Sequence, residues 1–256
     1  MCSLDRVAMP VSENYDSHEF RQPENTKIDA WRYLDTSKFL SLLLFRELPL
    51  IRIDRFPDKF EGLYTRQLGN EITEIGNRMG SHPSVVTDIV NSMTHSAEES
   101  RRFIFASCWC LLDHESEAMW RIYCKDKEGV AIVLPYDKLY ESVRGTPKTY
   151  AGTVRYIDFD RELIRQANPV KRATYKRREF EHEHEARILR YDPGLHYQRE
   201  PLPEAIPLPW DAAKFVERIV ISPYTPAWYF KSIREFVERI SPTLADRVTR
   251  SSMEFD

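Results

Sequence analysis

Apolar residues in this chain fall at strand spacing in some stretches and at helix spacing in others, with no regular rhythm between the two. "IDAWRYLDTSKFLSLLLFRELPLIRIDRF" (28–56) predicts a short strand around Ala30–Tyr33. A helix follows, capped by Asp35, Thr36 or Ser37, with Phe39, Leu42 and Leu43 on one face. "LPLIRI" (48–53) predicts a second strand, and the stretch from Thr65 to Arg102 predicts helix with interruptions. "RRFIFASCWC" (101–110) is a strand rich enough in aromatic and small residues to be buried on both faces. Ser116 precedes the helix "EAMWRIYC", "GVAIVLP" (129–135) is a strong strand, and "GTVRYIDF" (152–159) alternates as a strand.

The basic run "KRATYKRR" (171–178) predicts helix, with the strand "EHEARILRY" (183–191) behind it. "RIVISP" (218–223) is a last strand. After it comes a helix whose apolar face carries Trp228, Phe230, Ile233, Phe236, Val237 and Ile240. Strands and helices that alternate without a crossover rhythm predict a mixed α+β fold. We expect one domain over 26–256, with a mixed, largely antiparallel central sheet flanked by helices. Residues 1–25, polar and with Pro10 and Pro23, predict a flexible N-terminal arm.

Composition narrows the function classes. A hydrophobic share of 42% with 30% charged residues fits a globular protein and argues against disorder. The longest apolar run, "FLSLLLF" (39–45), is too short to span a bilayer, so no membrane association is expected. The first twenty residues lack the basic and apolar blocks of a signal peptide, which predicts a cytoplasmic protein. Its four cysteines are then expected as free thiols. A net charge of −3 gives no general reason for nucleic acid to bind. None of the 8 glycines forms a phosphate-cradling Gly-rich loop, so any nucleotide would be held by side chains.

Several stretches carry a family resemblance: "WRYLD", "DRFPDKFEG" (54–62), "FASCWCLLDHESEAMWRIYCKDKEGVAI" (105–132), "GTVRYIDF", "FEHEHEARIL" (180–189) and "IVISP". In this order and spacing they resemble the bacterial domain-of-unknown-function family 2971, over about residues 28–252. The resemblance implies a fold boundary more than a chemistry, because that family is largely uncharacterised.

Candidate chemistry centres on "EHE" (183–185). On a strand, Glu183, Glu185 and Arg187 share one face, and a carboxylate pair is what glycosidic-bond chemistry uses. On a helix, Glu183 and Arg187 would instead be an ordinary i,i+4 surface pair; both readings are open at this point. The Glu-x-Glu element resembles that of ADP-ribosyltransferases, which bind NAD through an arginine or histidine on the first core strand and a serine on a central strand. The resemblance implies catalytic Glu183 and Glu185, with Arg32 and Ser107 binding NAD as substrate. Where those enzymes carry Ser-Thr-Ser, this chain has Ala106, Ser107 and Cys108. Trp120, whose helix follows the Ser107 strand, is the candidate base-stacking residue, weighed against a plain core role.

Other constellations give alternatives. Asp54, Asp58 and Glu61 with the Glu/His stretch suggest Mg²⁺ or Mn²⁺ and a phosphodiesterase or nuclease; otherwise they serve turns and caps. Cys108, Cys110, His114 and Cys124 suggest zinc, though their spacing matches no standard site. The expectation is a nucleotide-handling enzyme of a stress or phage-defence system. Its rival from another class is a non-enzymatic interaction module with a protein partner.

Overall fold

The computed structural model describes residues 20–124, 128–198 and 200–253. Strand β1 (Asp29–Asp35) alternates its side chains, sending Trp31 and Tyr33 to one face and Ala30 and Leu34 to the other. The Asp35 carboxylate accepts from Lys38 N and caps α1 (Thr36–Phe45), which buries Phe39, Leu42 and Leu43. Strand β2 (Glu47–Arg52) follows, then the helical hairpin of α2 (Arg66–Arg78) and α3 (Pro83–Ser100). Strand β3 (Ile104–Leu111) is buried along nearly all its length. Ser116 Oγ caps α4 (Glu117–Tyr123), and β4 (Gly129–Pro135) leads into α5 (Tyr136–Glu141).

The chain then runs through β5 (Thr149–Thr153), β6 (Arg155–Ile157), α6 (Pro169–Arg172), β7 (Tyr175–Arg177) and β8 (Glu185–Tyr191). It closes with β9 (Ala205–Pro209), α7 (Ala212–Phe215), β10 (Arg218–Ile221), α8 (Ala227–Ile240) and β11 (Val248–Arg250). The result is a single α+β domain around a nine-stranded sheet. Its backbone order is β11-β10-β4-β1-β3-β2-β9, with β8 paired to β3 and β5 paired to β8. Only the β10–β11 pair in it is parallel, so the sheet is mixed but largely antiparallel. Helices α1, α5 and α8 cover one face; α4, α6 and Phe20 cover the other. Among the described residues no helix is long and apolar enough to cross a membrane.

Strand β3 has three partners. Along one edge it pairs with β8 from Ile104 to Cys110. Its other edge is shared, with β2 at Phe105–Ala106 and β1 at Cys110–Leu111. Between those contacts β1 and β2 diverge, leaving a fork beside Ser107–Trp109.

Four local expectations need correction. The basic run is not one helix, because α6 ends at Arg172, Thr174 Oγ1 turns back to Lys171 O, and β7 pairs in parallel with β6. The strand expected over 183–191 begins only at Glu185, since His184 adopts a left-handed conformation (φ 42°) after a 3-10 turn over Arg178–Glu183. The 152–159 strand is broken at Val154, whose N–H still donates to Glu185 O on β8, because the next N–H, that of Arg155, turns away to Thr174 O. On α8 the buried residues are Tyr229, Ile233 and Val237, with Trp228 59% exposed.

Of the arm expected over 1–25, residues 1–19 and with them Cys2 lie outside the described residues. Residues 20–22 pack against β5. Phe20 is buried and stacks on Tyr150 at 5.0 Å, Thr153 N donates to Arg21 O, and Gln22 Nε2 donates to Ala151 O.

Candidate functional site

The sheet separates the expected site residues into two groups. Register pairs Trp31 with Cys110 and Cys108 with Arg187, which places Cys108, Cys110, Glu185 and Arg187 on the face of Trp31 and Tyr33. Arg32, Ser107 and Trp109 lie on the opposite face, with Ala186 and Ile188.

Arg32 fills the fork in the sheet. Its guanidinium donates to Ser107 Oγ, to Cys108 O at 3.3 Å and to Pro49 O at 3.5 Å, supplying donors where the ladder has opened. It lies 5.7 Å from the Trp109 ring centre, and the Trp109 indole also donates to Ser107 Oγ, at 3.1 Å. Burial draws its pKa down to about 10. Arg32 and Ser107 are therefore brought together, as expected for a shared site, but with their backs to Glu185. Trp120 is fully buried against α4's own face of the sheet. Its indole donates to Glu115 Oε1 at 2.7 Å and Tyr33 meets it edge-on at 4.8 Å, which leaves no ring face for a base.

Glu183 and Glu185 belong to a buried ionic cluster. Lys176, carried in by β7, donates to Glu183 Oε2 at 2.8 Å and Glu185 Oε2 at 2.9 Å, and stands 3.8 Å from Glu61 Oε1. Arg187 donates from Nε to Glu185 Oε1 at 2.6 Å and from Nη2 to Glu185 Oε2 at 2.9 Å. Arg187 Nη2 also meets Glu61 Oε2 at 2.5 Å, and Nη1 donates to Ala173 O at 2.6 Å. Burial opposes the charge on Glu185, yet Arg187 and Lys176 outweigh it and hold the carboxyl down to about 2. Burial pushes Glu61 the other way, upward, against the pull of Arg187. The Cys108 thiol is raised well above its ordinary value by burial and by the Glu185 charge, so it stays protonated.

No family model, curated protein or solved structure matches this chain. The site is therefore read from its own atoms.

Glu183 differs from Glu185 in one respect that matters for chemistry. Both oxygens of Glu185 are engaged, whereas among the described residues Glu183 uses only Oε2, toward Lys176 and toward the Tyr123 hydroxyl at 3.5 Å. A cleft of about 30 Å³ opens here, lined by Trp31, Tyr33, Met119, Tyr123, Glu183 and Glu185 among others. On the other side of Glu185 lies a wider groove of about 410 Å³, bounded by Arg21, Gln22, Asn25, Tyr156 and His184 among others. Tyr156 Oη accepts from Glu185 N at 2.8 Å and lines this groove, while Glu185 lines both.

The acidic loop is bound into the same cluster. Asp58 Oδ1 accepts from Phe60 N at 3.1 Å, the expected turn chemistry, and from Arg177 Nε at 3.0 Å. Glu61 points to Arg187 instead and caps no helix among the described residues. The Lys176 ammonium thus stands among the carboxylates suggested as Mg²⁺ or Mn²⁺ ligands, and no group of three or more metal-ligating residues is arranged to hold an ion among the described residues. For zinc, Cys124 Sγ is turned to Leu34 O and His114 is 70% exposed beside Asp113.

Sequence reasoning grouped Lys176 with the other basic residues and did not single it out. Its signal was weak: one lysine between Tyr175 and Arg177, placed by a three-residue strand.

Proposed function

We propose that the protein is a nucleotide-handling enzyme whose acting group is Glu183, working on the glycosidic bond of an NAD-type substrate. The observation that carries this reading is the state of the Glu183 carboxylate. Oε2 is anchored by Lys176 and Tyr123, Oε1 takes part in no hydrogen bond or ion pair found among the described residues, and the residue lines the cleft. A carboxylate fixed through one oxygen and open through the other is suited to take a proton from an attacking hydroxyl or to orient it. Glu185 then acts as a positioning residue, through the lysine it shares with Glu183. The groove beside it is of the size that small-molecule sites use, which gives the bulk of a dinucleotide somewhere to lie. Arg32, Ser107 and Trp120 have no part in this reading, because they face away or are sealed in the core.

The test is nicotinamide release from NAD⁺ by purified protein, with and without cell extract as a source of acceptor. Glu183→Gln should lower the rate roughly a hundredfold or more, the usual effect of losing a positioned proton acceptor. If wild type and Glu183→Gln release equally little nicotinamide under both conditions, the enzyme reading fails.

A second reading, the non-enzymatic interaction module, is favoured by the α2–α3 hairpin, which exposes Ile75, Met79, Val85 and Ile89. It predicts that Met79→Glu abolishes function in the cell while leaving NAD⁺ turnover, present or absent, unchanged.

A further inference from the structure

Helices α2 and α3 bury little of what they carry. Of the 18 residues of α3 only Val86 and Ala97 are buried, and of the 13 of α2 only Leu68. The two helices pack tightly near their connection, where a Cβ on Gly76 would stand 2.4 Å from Val86 Cγ2. Nearer the start of α2 a groove of about 290 Å³ opens between them, lined by Leu68, Gly69, Ile72, Val90, Met93 and Ala97 among others.

Gly69 differs from Gly76 in what it does for this hairpin. A Cβ at 69 would meet only Val90 Cγ1 among the described residues, at 3.6 Å, which is an ordinary contact. Helix packing therefore does not demand glycine at 69, although glycine is among the poorest helix formers. What the missing side chain does is leave the groove open.

The charge at the groove has one sign. Arg66 is the sole charged residue among those that line it. Its Nε stands 3.2 Å from Asp160 Oδ1 in a pair exposed on both sides, which is weak, and its Nη groups take part in no hydrogen bond or ion pair found among the described residues. Arg66 opens α2, whose first turn carries no acidic side chain, and the Thr65 hydroxyl before it accepts from Ile164 N instead of capping the helix. The positive end of the helix dipole thus adds to the guanidinium.

The groove is close in size to the smaller small-molecule sites, which run from about 300 to 1,000 Å³ and are mostly apolar with a few placed polar groups. We propose that it is a ligand site for a medium-chain carboxylate, a fatty-acid-like molecule whose alkyl chain lies among Leu68, Ile72, Val90 and Met93 and whose carboxylate meets Arg66. Arginine's planar fork of donors matches a carboxylate. Glu183 does not line this groove, and the inference does not rest on the reading of that residue.

The experiment is titration calorimetry of the full chain at constant ionic strength, with hexanoate, octanoate and 1-octanol as probes. Wild type should bind octanoate saturably, and roughly tenfold more tightly than hexanoate for the two further methylenes buried. Arg66→Gln, a change at an exposed side chain, should weaken octanoate about fivefold and octanol hardly at all. Gly69→Leu fills the groove while improving helix propensity, so it should still unfold cooperatively in urea and should lose octanoate binding. Bound octanoate should also slow amide exchange in α2 and α3 of wild type. No saturable octanoate binding by wild type, or undiminished binding by Gly69→Leu, would overturn the site. Octanol binding as tightly as octanoate, or octanoate binding unchanged in Arg66→Gln, would overturn the carboxylate as its ligand class.

Discussion

Glu185 shows how one buried carboxylate can depend on its neighbours. With Arg187 fully buried and Lys176 nearly so, Glu185→Gln would leave both cations short of negative charge, with Glu61 remaining to Arg187 and Glu183 to Lys176. Breaking a buried pair in this way costs about 3 to 5 kcal/mol, and we expect a loss of that size in urea unfolding at pH 7. The pH dependence has a definite sign. A carboxyl held at about 2 when folded, against its ordinary 4.5, contributes stability above its unfolded value and loses it as pH falls toward 2. Glu61 works in the opposite sense, since its folded value is raised and protonation favours the folded state. The acid limb of wild type, between about pH 5 and pH 2, should therefore be shallower in Glu185→Gln by about 3 kcal/mol. An unchanged acid limb would contradict the pairing described for Glu185.

At the scale of elements, the α2–α3 hairpin depends on two glycines seven residues apart. Gly69 faces Val90, and a Cβ on Gly76 would stand 2.4 Å from Val86 Cγ2, a stiff β-branched and buried neighbour. Gly76→Ala gains about 1 kcal/mol of helix propensity but overpacks this contact by more. Amide exchange should report α2 and α3 less protected by about 1 kcal/mol. Adding Val86→Ala should restore most of it. Elements of this kind were legible where a pattern is local: the continuous apolar runs of β3 and β4 and the Ser116 helix start could be read directly, and the cap of α1 was narrowed to three neighbours, of which Asp35 serves. The segment from Lys171 to Glu185 could not, because its course is set by contacts far along the chain. A pairing with β6 makes a strand of Tyr175–Arg177, and a left-handed His184 delays β8 by two residues. Alternation correctly put Glu185 with Arg187. It was silent on how the phase of β1 relates to that of β8, which the Trp31–Cys110 and Cys110–Glu185 pairings decide.

For the molecule as a whole, the basic run that gave the sequence its most cationic stretch is largely committed internally. Lys176 serves Glu183 and Glu185, Arg177 serves Asp58, Arg178 meets Glu162, and Arg172 is buried among carbonyls. With a net charge of −3 besides, little is left to displace counterions from a phosphate backbone. Fluorescence anisotropy with a mixed-sequence duplex should show no binding at physiological ionic strength. A salt-sensitive affinity there would reveal a cationic surface these pairings do not account for.

Strand β3 has a consequence for how the chain emerges from the ribosome. Its partners β1 and β2 precede it, but β8, which covers its whole other edge, is completed only about 80 residues later. At ordinary elongation rates that is a wait of roughly 4 to 16 s. Throughout it, the segment "IFASCWCL" presents an open hydrogen-bonding edge with aromatic and thiol side chains beside it. Nascent chains truncated before residue 185 should therefore be the species most dependent on chaperones, and the full-length protein much less so.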